Sequence, residues 1–312
     1  MKKIGRLLLI APMFILLQPS QATAQCCAAG SPANINPDLR TLKTGGYTIS
    51  ASVKYSNSEA YFSKDNKLDI TPLITRSDYL FGSFSAGYTI LRGLEINASL
   101  GYFFKKAEHY KIAGLNSDDG YGLSDLSIGC RGLIYRGVAS SQQLFGTVNV
   151  TFPTGQFDLV RDDVTLPVQL QPSSGAFKYR IGLQYIKSLT ESKIDLFAQG
   201  EAELSARIKS KNFNYRYGNY YSLTLGAYRL LNNYITVGLQ TRGEWRERSD
   251  RDDGIILEAT GFRQVALCPL VAVKLLKKTS FSFIPQIPVY RYYNGIQMAN
   301  SWSGTAAVTL NL

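Results

Sequence analysis

The residues best placed to do chemistry in this 312-residue chain are charged side chains that alternate with apolar ones. In the stretch from Ser222 to Trp245, for example, Arg242 and Glu244 fall on the face opposite Val237, Leu239 and Trp245. Side chains at every second position of a β-strand lie on one face. Carboxylates and guanidiniums gathered on one face can form a polar filter for a solute. The residues that fit this pattern are Arg131, Arg180, Glu201, Glu203, Arg207, Arg242 and Glu244.

Two adjacent cysteines, Cys26 and Cys27, are a candidate metal site. Thiolates select soft ions such as Cu(I) or Zn²⁺, although two ligands are too few for a closed structural zinc site. Oxidation or a disulfide in an oxidising compartment is the alternative. A lipid anchor does not fit, because Gln25 precedes the pair where a small residue is required. No cofactor is predicted.

Catalytic and calcium-binding residues have little support in the sequence. The only histidine is His109, and a Ser–His hydrolase needs a serine beside it, whereas Ser99 is too far away along the same segment. The acidic loop at 249–254 offers carboxylates to Ca²⁺, but Gly261 stands where an EF-hand loop has its closing glutamate. Solvated loop charges are the alternative reading, and no enzyme is predicted.

The elements that must position these residues are short strands with a period of two. The same alternation continues on both sides of the Asn232-Asn233 turn. Short connections alternate with longer polar ones, which is typical of an outer-membrane barrel. Most segments exceed the roughly 9–11 residues that a tilted strand needs to cross a bilayer. The sequence predicts about twelve strands, over 46–58, 77–91, 94–107, 123–136, 143–154, 175–188, 194–208, 218–231, 233–246, 261–275, 279–292 and 301–312.

The predicted fold is therefore an all-β, transmembrane, antiparallel up-and-down barrel. Lipid excludes an open sheet edge, because its backbone groups would remain unpaired. Aromatic rings stand near the ends of the apolar faces, as at Trp245 and Trp302, which suits the headgroup region. A lipid-facing Arg or Lys near the midplane would cost roughly 2–4 kcal/mol, so the seven charged residues should face a wet interior. Lys187 and Arg229 are exceptions, because their positions place them on the outward face. Both lie beside short turns, where a long basic side chain can reach the membrane–water interface.

The N-terminus predicts export. MKKIGR is basic, the apolar stretch after it is too short to span a bilayer, and ATA provides a cleavage site after Ala24. We expect a signal peptide at 1–24, an irregular segment at 25–44 that could hang free or plug the lumen, and a barrel at 45–312. Removing the signal lowers the formal charge from +11 to +8. The sequence has no stripe of Lys and Arg residues with interleaved aromatic residues, so nucleic acid is not a predicted partner.

Three prolines interrupt the two segments before the last one: Pro269, Pro285 and Pro288. Proline cannot donate to a ladder and is usually confined to edges or bulges, yet a closed barrel has no edge. A weakened lateral seam that opens for an apolar ligand is one hypothesis. Bulges that only shape the barrel are the other.

A family resemblance covers residues 80–312. It lies in TVNVTFPTGQFD (147–158), LPVQLQPSSGAFKYRIGLQY (166–185) and GLSDLSIGCRGLIYR (122–136). These stretches resemble the outer-membrane barrels grouped with phenol-degradation meta-pathway proteins, which are akin to fatty-acid-type transporters. The resemblance implies an exported barrel that passes small, often hydrophobic, compounds, and it supplies no substrate.

The sequence thus predicts a passive transporter or channel in the Gram-negative outer membrane, for a small molecule that can be hydrophobic. Twelve strands should give a narrow lumen, between the filled interior of eight and the aqueous channel of sixteen. The expected partners are outer-membrane lipid and lipopolysaccharide, a small solute and the barrel-assembly machinery. The alternative is a non-conducting structural or metal-handling surface barrel that uses Cys26 and Cys27.

Overall fold

A computed structural model describes residues 44–70, 72–112, 115–137, 141–161, 163–252 and 254–312. The predicted signal peptide and nearly all of the segment at 25–44, with Cys26 and Cys27, lie outside these residues. The strands of the described residues are β1 (Tyr47–Lys64), β2 (Asn66–Leu68), β3 (Ile74–Leu91), β4 (Leu94–Ile112), β5 (Leu115–Leu123), β6 (Leu126–Arg136), β7 (Gln142–Phe152), β8 (Val160–Arg161), β9 (Val164–Thr165), β10 (Lys178–Leu189), β11 (Ile194–Ser205), β12 (Ile208–Lys209), β13 (Asn214–Arg216), β14 (Tyr220–Leu230), β15 (Ile235–Arg246), β16 (Asp250–Arg251), β17 (Ile255–Ile256), β18 (Phe262–Leu276) and β19 (Thr279–Asn311).

The main sheet closes on itself as an antiparallel barrel. Its ring runs β1-β3-β4-β6-β7-β10-β11-β14-β15-β18-β19 and returns to β1, while β2 and β5 extend β1 and β4 outside the ring. Closure leaves no open edge, which is the condition that a bilayer imposes on a sheet. The predicted fold class is confirmed.

The last strand, β19, makes two passes across the barrel. Residues 279–293 pair with β18, and residues 293–311 pair with β1, both antiparallel. Ten successive antiparallel pairings lead from β1 to the first half of β19, so that half runs in the direction of β1. The second half runs against β1, and the chain reverses near Gly295, whose φ is 60°. The eleven ring strands therefore supply twelve passes, as the sequence predicts.

The observed strands extend beyond the predicted ones at the end with long connections. β4 continues to Ile112 and pairs with β5 over residues predicted as a loop, and β19 spans the predicted loop at 293–300. These extensions stand beyond the apolar band. In the sequence the period-two signal is lost there, as in KKAEHYK (105–111), although the backbone is still extended. We call the end of the barrel that carries these extensions the long-loop end. The opposite end, where the connections are short, is the short-turn end.

The outer surface of the barrel is apolar at alternate positions. On β10, Tyr179, Ile181, Leu183 and Tyr185 are all exposed, while the residues between them are covered or half-covered. Lys187 and Arg229 are exposed next to short turns, in the outward register that the sequence indicates. No helix among the described residues is long and apolar enough to cross a membrane.

Part of the interior is filled by an apolar cluster near the short-turn end. It comprises Phe145, Ile186, Phe197, Tyr228, Ala266, Cys268, Leu270, Ala272 and Ile284, on strands β7 to β19. The rings of Phe197 and Tyr228 stack at 4.9 Å. At the same level, the facing walls of β1, β3 and the second pass of β19 carry small hydroxyl residues, and Ser52 bonds Ser83 at 2.7 Å. The interior is thus packed on one side and open on the other.

Candidate functional site

A cavity of about 380 Å³ lies inside the barrel. It extends from the middle of the barrel to the short-turn end, along the hydroxyl-lined walls of β1, β3 and β19, where Thr48, Ser50 and Thr309 border it. The volume falls within the roughly 300–1,000 Å³ of small-molecule sites. A smaller cavity of about 50 Å³ lies above it towards the long-loop end.

The structure places most of the predicted charged residues at these cavities. The larger cavity is bordered by Arg131, Arg180, Glu201 and Arg242, and the smaller one by Glu244. Glu203 is buried beside them and accepts a hydrogen bond from Arg180.

Arg207 is placed differently from the other charged residues. It lies beyond the last residue of β11 and borders neither cavity. Its guanidinium binds Asp250, which also accepts from Arg216 Nε at 2.7 Å. The predicted segment runs to residue 208, but β11 ends at Ser205, so Arg207 lies outside the barrel strand. The side chain instead links two strands of a small sheet, β12-β13-β16-β17, at the long-loop end.

The acidic residues of the interior are engaged by neighbouring donors. Glu244 is buried: Arg242 Nε lies 3.2 Å from its Oε1, and Tyr220 donates to the same oxygen at 2.5 Å. Gln264 and Gln286 donate to the other oxygen. This network spans strands β14, β15, β18 and the first pass of β19. The carboxylate is therefore neutralised within the wall.

A long connection between β7 and β10 folds into the barrel and roofs the larger cavity. Its short 3-10 turn at Val168–Leu170 is buried, and Gln171 has no exposed surface. Lys106 of β4 donates to the Gln171 carbonyl at 2.8 Å. A Cβ on Gly120 would come within 2.0 Å of the Leu170 carbonyl oxygen, so the close approach requires glycine there. We call residues 156–174 the inward loop.

Asp125 anchors both ends of the inward loop. Its carboxylate accepts from Ser173 Oγ, from Ser174 N at 2.9 Å and Oγ at 2.6 Å, and from Gly155 N at 3.4 Å. Gly175 follows with φ of 65°, a left-handed conformation that glycine adopts without strain. Asp125 was not among the residues predicted from the sequence. The local feature that could have indicated it is the Ser124-Asp125 pair between β5 and β6, which contacts the Ser173-Ser174-Gly175 turn.

Four side chains border both cavities and so lie between them: Lys54, Tyr79, Lys106 and Tyr220. We call this set the constriction. The first three lie on adjacent strands, β1, β3 and β4, and Tyr220 reaches in from β14. Just outside the strands, Tyr217 borders the larger cavity, and burial raises its pKa.

The prolines occupy a break in the ladder between β18 and β19. The pairing is regular at Leu267↔Ile287 and resumes in the same register at Val271↔Phe283, but the three pairs between them are missing. This register sets Pro269 opposite Pro285. A hydrogen-bonded pair needs an N–H from each residue, and neither proline has one. Pro288, in contrast, pairs with Ala266.

The remaining candidate residues have structural partners or lie outside the described chain. His109 Nε2 is 2.7 Å from Asp78 Oδ1 at the long-loop end, and that bond engages a carboxylate, not a serine. The Asp250 carboxylate is occupied by Arg207 and Arg216, which leaves little for Ca²⁺. Among the described residues no group of three potential metal ligands occurs.

Comparison with known proteins identifies the fold. No family model matches the chain, and no curated protein does. Among solved structures, an outer-membrane channel from Pseudomonas putida F1 is similar with a TM-score of 0.72, at 14% identity, covering 89% of this chain and 99% of that one. The NanC porin gives a TM-score of 0.49 at 10% identity, with 85% of this chain and 100% of that chain covered.

A mutant of the TodX monoaromatic hydrocarbon channel gives a TM-score of 0.45 at 9% identity, covering 86% of this chain and 90% of that one. The similarity with a TM-score of 0.72 shows a common fold. The two similarities with TM-scores below 0.5 are too weak to support a conclusion. The structural neighbours are outer-membrane β-barrels, mostly channels and porins. The grouping with phenol-degradation barrels finds no match among family models and stays a prediction.

Proposed function

We propose that the protein is a passive outer-membrane channel for a small solute. The observation that carries the proposal is the cavity of about 380 Å³ inside a closed barrel, bordered by charged and hydroxyl side chains. A structural barrel has no need for such a cavity, and its interior can be filled by side chains. The similarity in fold to an outer-membrane channel supports the same reading.

The outer surface supports a location in a lipid bilayer. Exposed apolar side chains alternate along the strands, and Trp245 and Trp302 stand among the exposed residues near the long-loop end. Amphipathic rings at such margins suit the headgroup region. We include outer-membrane lipid and lipopolysaccharide as its surroundings and the barrel-assembly machinery as its route of insertion.

Reconstitution tests the channel function. The refolded barrel in a planar bilayer should give stepwise currents, and liposomes that contain it should swell in small solutes. The matched control is the same protein kept unfolded in urea and added in equal amount. A barrel that is folded by its resistance to unfolding in detergent, yet gives neither current nor swelling, would overturn the proposal.

We also propose that the proline pair is a lateral seam. Pro269 and Pro285 remove two backbone hydrogen bonds at one position of the wall, and the side chains behind them are apolar: Cys268, Leu270 and Ile284. The missing ladder pairs support a weak point in the barrel, and opening itself requires a measurement.

A further inference from the structure

A row of hydroxyl side chains crosses half of the barrel wall. It takes one residue from each of six adjacent passes, namely the second pass of β19, then β1, β3, β4, β6 and β7, and each residue is the direct ladder partner of the next. All of them border the larger cavity. We call this set the hydroxyl row; in ladder order it consists of Thr309, Ser50, Ser85, Ser99, Ser127 and Thr151.

The hydroxyl row also runs along the lumen. Thr309 lies close to the last residue of β19 at the short-turn end, whereas Thr151 lies next to the last residue of β7, where the chain leaves for the inward loop. Barrel strands tilt by roughly 35–45° from the axis, so a row of directly paired residues climbs as it passes from strand to strand. With neighbouring strands about 4.8 Å apart, the row covers roughly 15 Å along the axis. It is therefore a track through the lumen and not a ring at one level.

The two central hydroxyls of the row are available to a solute. Ser85 and Ser99 are partly exposed at the cavity, and within the part of the chain that the structure describes neither side chain has a hydrogen-bond partner. Towards the ends of the row the hydroxyls bond each other: Thr309 Oγ1 donates to Ser50 Oγ at 3.2 Å, and Thr151 Oγ1 donates to Ser127 Oγ at 3.3 Å. A hydroxyl has one donor and two acceptor sites, so these pairs also keep sites for a solute.

Several charged side chains around the cavities are engaged with charges of opposite sign. Arg180 donates to Glu203, and Lys178 Nζ lies 4.0 Å from the same carboxylate. Arg242 Nε lies 3.2 Å from Glu244 Oε1. The hydroxyl row itself has no charged member. A solute that follows the row therefore meets successive neutral groups, each of which can donate and accept.

We propose that the hydroxyl row is the path and the binding track for small neutral polyols of the sugar class. The hydroxyls of such a solute donate and accept as serine does, so they replace the water that leaves the row, whereas an apolar solute leaves the row unpaired. Weak bonds at successive positions let a solute bind and still leave. The inference rests on the proposed channel function, and it selects a polar solute instead of the hydrophobic one that the family resemblance implies.

Two neutral solutes of nearly equal mass test this selectivity. Xylitol has a hydroxyl on every carbon, whereas triethylene glycol has hydroxyls only at its ends. Liposomes that contain the full-length barrel should swell faster in xylitol by roughly fivefold, which is the effect of one net hydrogen bond, once the rate of protein-free liposomes is subtracted.

Substitutions in the middle of the row test its role. Ser85→Ala/Ser99→Ala removes two hydroxyls and should reduce the ratio of the xylitol rate to the triethylene glycol rate to roughly half or less. Ser85→Thr/Ser99→Thr keeps both hydroxyls and should keep the preference for xylitol while both solutes slow down. A wider lumen alone would speed both solutes and leave the ratio unchanged. The control Ser192→Ala alters an exposed serine in a short turn that borders neither cavity, and it should also leave the ratio unchanged.

The outcomes separate this inference from the channel function. A folded barrel that gives neither current nor swelling overturns the channel function and the inference with it. A conducting barrel that swells equally in both solutes, or faster in triethylene glycol, overturns the polyol inference alone. A preference that persists in Ser85→Ala/Ser99→Ala overturns the role of the hydroxyl row. If this double variant does not fold, the single variants Ser85→Ala and Ser99→Ala decide that role.

Discussion

Asp125 shows at the scale of single residues how one side chain controls the space inside the barrel. Its carboxylate accepts hydrogen bonds from both ends of the inward loop, at Gly155 and at Ser173 and Ser174. Bonds to a charged group contribute about 1.5–3 kcal/mol each, twice or more what a neutral bond does. Asp125 therefore fixes the loop over the cavity together with Lys106, which donates to the Gln171 carbonyl.

Replacing Asp125 should release the loop. In Asp125→Ala the carboxylate bonds are lost, and we expect the single-channel conductance to rise and the free energy of unfolding to fall by about 2–4 kcal/mol. Conductance in bilayers and unfolding in detergent are the measurements. Asp119→Asn is the matched control, since its ion pair with Arg161 is more than a third exposed on both sides and contributes at most about 1 kcal/mol. An unchanged conductance in Asp125→Ala would show that the inward loop does not restrict the current.

Individual positions also show where alternation along the sequence misleads. Counting by twos from Tyr102 and Phe104 places Lys106 on the outer face, yet it borders both cavities. A register shift between β3 and β4 at this point inserts one residue, and Phe104 and Lys105 both face outwards. A β-bulge reverses the faces of all residues after it, and nothing local in the sequence marks it. Lys54, on a strand without such a shift before it, follows the simple pattern.

At the scale of elements, the ladder between β18 and β19 is interrupted. The missing pairs centre on Pro269 and Pro285, and the same register resumes beyond them. The β15–β18 ladder on the other side is continuous through Leu239↔Pro269. The defect therefore belongs to a single interface between two strands and leaves the rest of the ring intact.

Restoring the two amide groups should close the seam. The double variant Pro269→Ala/Pro285→Ala supplies two N–H donors, and we expect a gain of about 1–2 kcal/mol in stability and slow hydrogen exchange at both new amides. Uptake of an apolar tracer into the barrel should fall if the seam is a route. Pro288→Ala is the control, because Pro288 already pairs with Ala266. New amides that exchange as fast as those of an exposed loop would show that the strands stay apart for another reason.

At the scale of the whole molecule, the barrel separates an apolar outside from a charged inside. Leu225 is half-exposed in the middle of β14, between Ala198 and Thr241 of the neighbouring strands, while Thr224 beside it is buried in the interior. The buried carboxylates and their arginine partners lie on the inner side, while Lys187 and Arg229 stand in the outward register beside short turns. This separation makes a lipid environment and a wet interior compatible in one sheet.

An outward charge should therefore be costly in proportion to its depth. Leu225→Arg should destabilise the barrel in lipid vesicles by about 2–4 kcal/mol, and Leu231→Arg, beside a short turn, by about 0–1 kcal/mol. Equilibrium unfolding in guanidinium measures both. Equal costs at the two positions would mean that the apolar surface does not lie in a bilayer.

The sequence by itself determined the strands, their number of passes and the face that most charged residues share. Period two is a local property, since each residue's side depends only on its neighbours along the chain. The seven predicted interior charges follow it, except Arg207 beyond the end of β11. The terminal segment with Cys26 and Cys27 stays a prediction, because it lies outside the described residues.

Only the tertiary structure decided which residues meet across the lumen. The constriction joins β1, β3, β4 and β14, whose register follows from every ladder between them. The anchoring of the inward loop by Asp125 and the opposition of Pro269 and Pro285 depend on pairings between residues far apart or on either side of a turn. Such contacts arise when the barrel closes, and a local pattern contains no record of them.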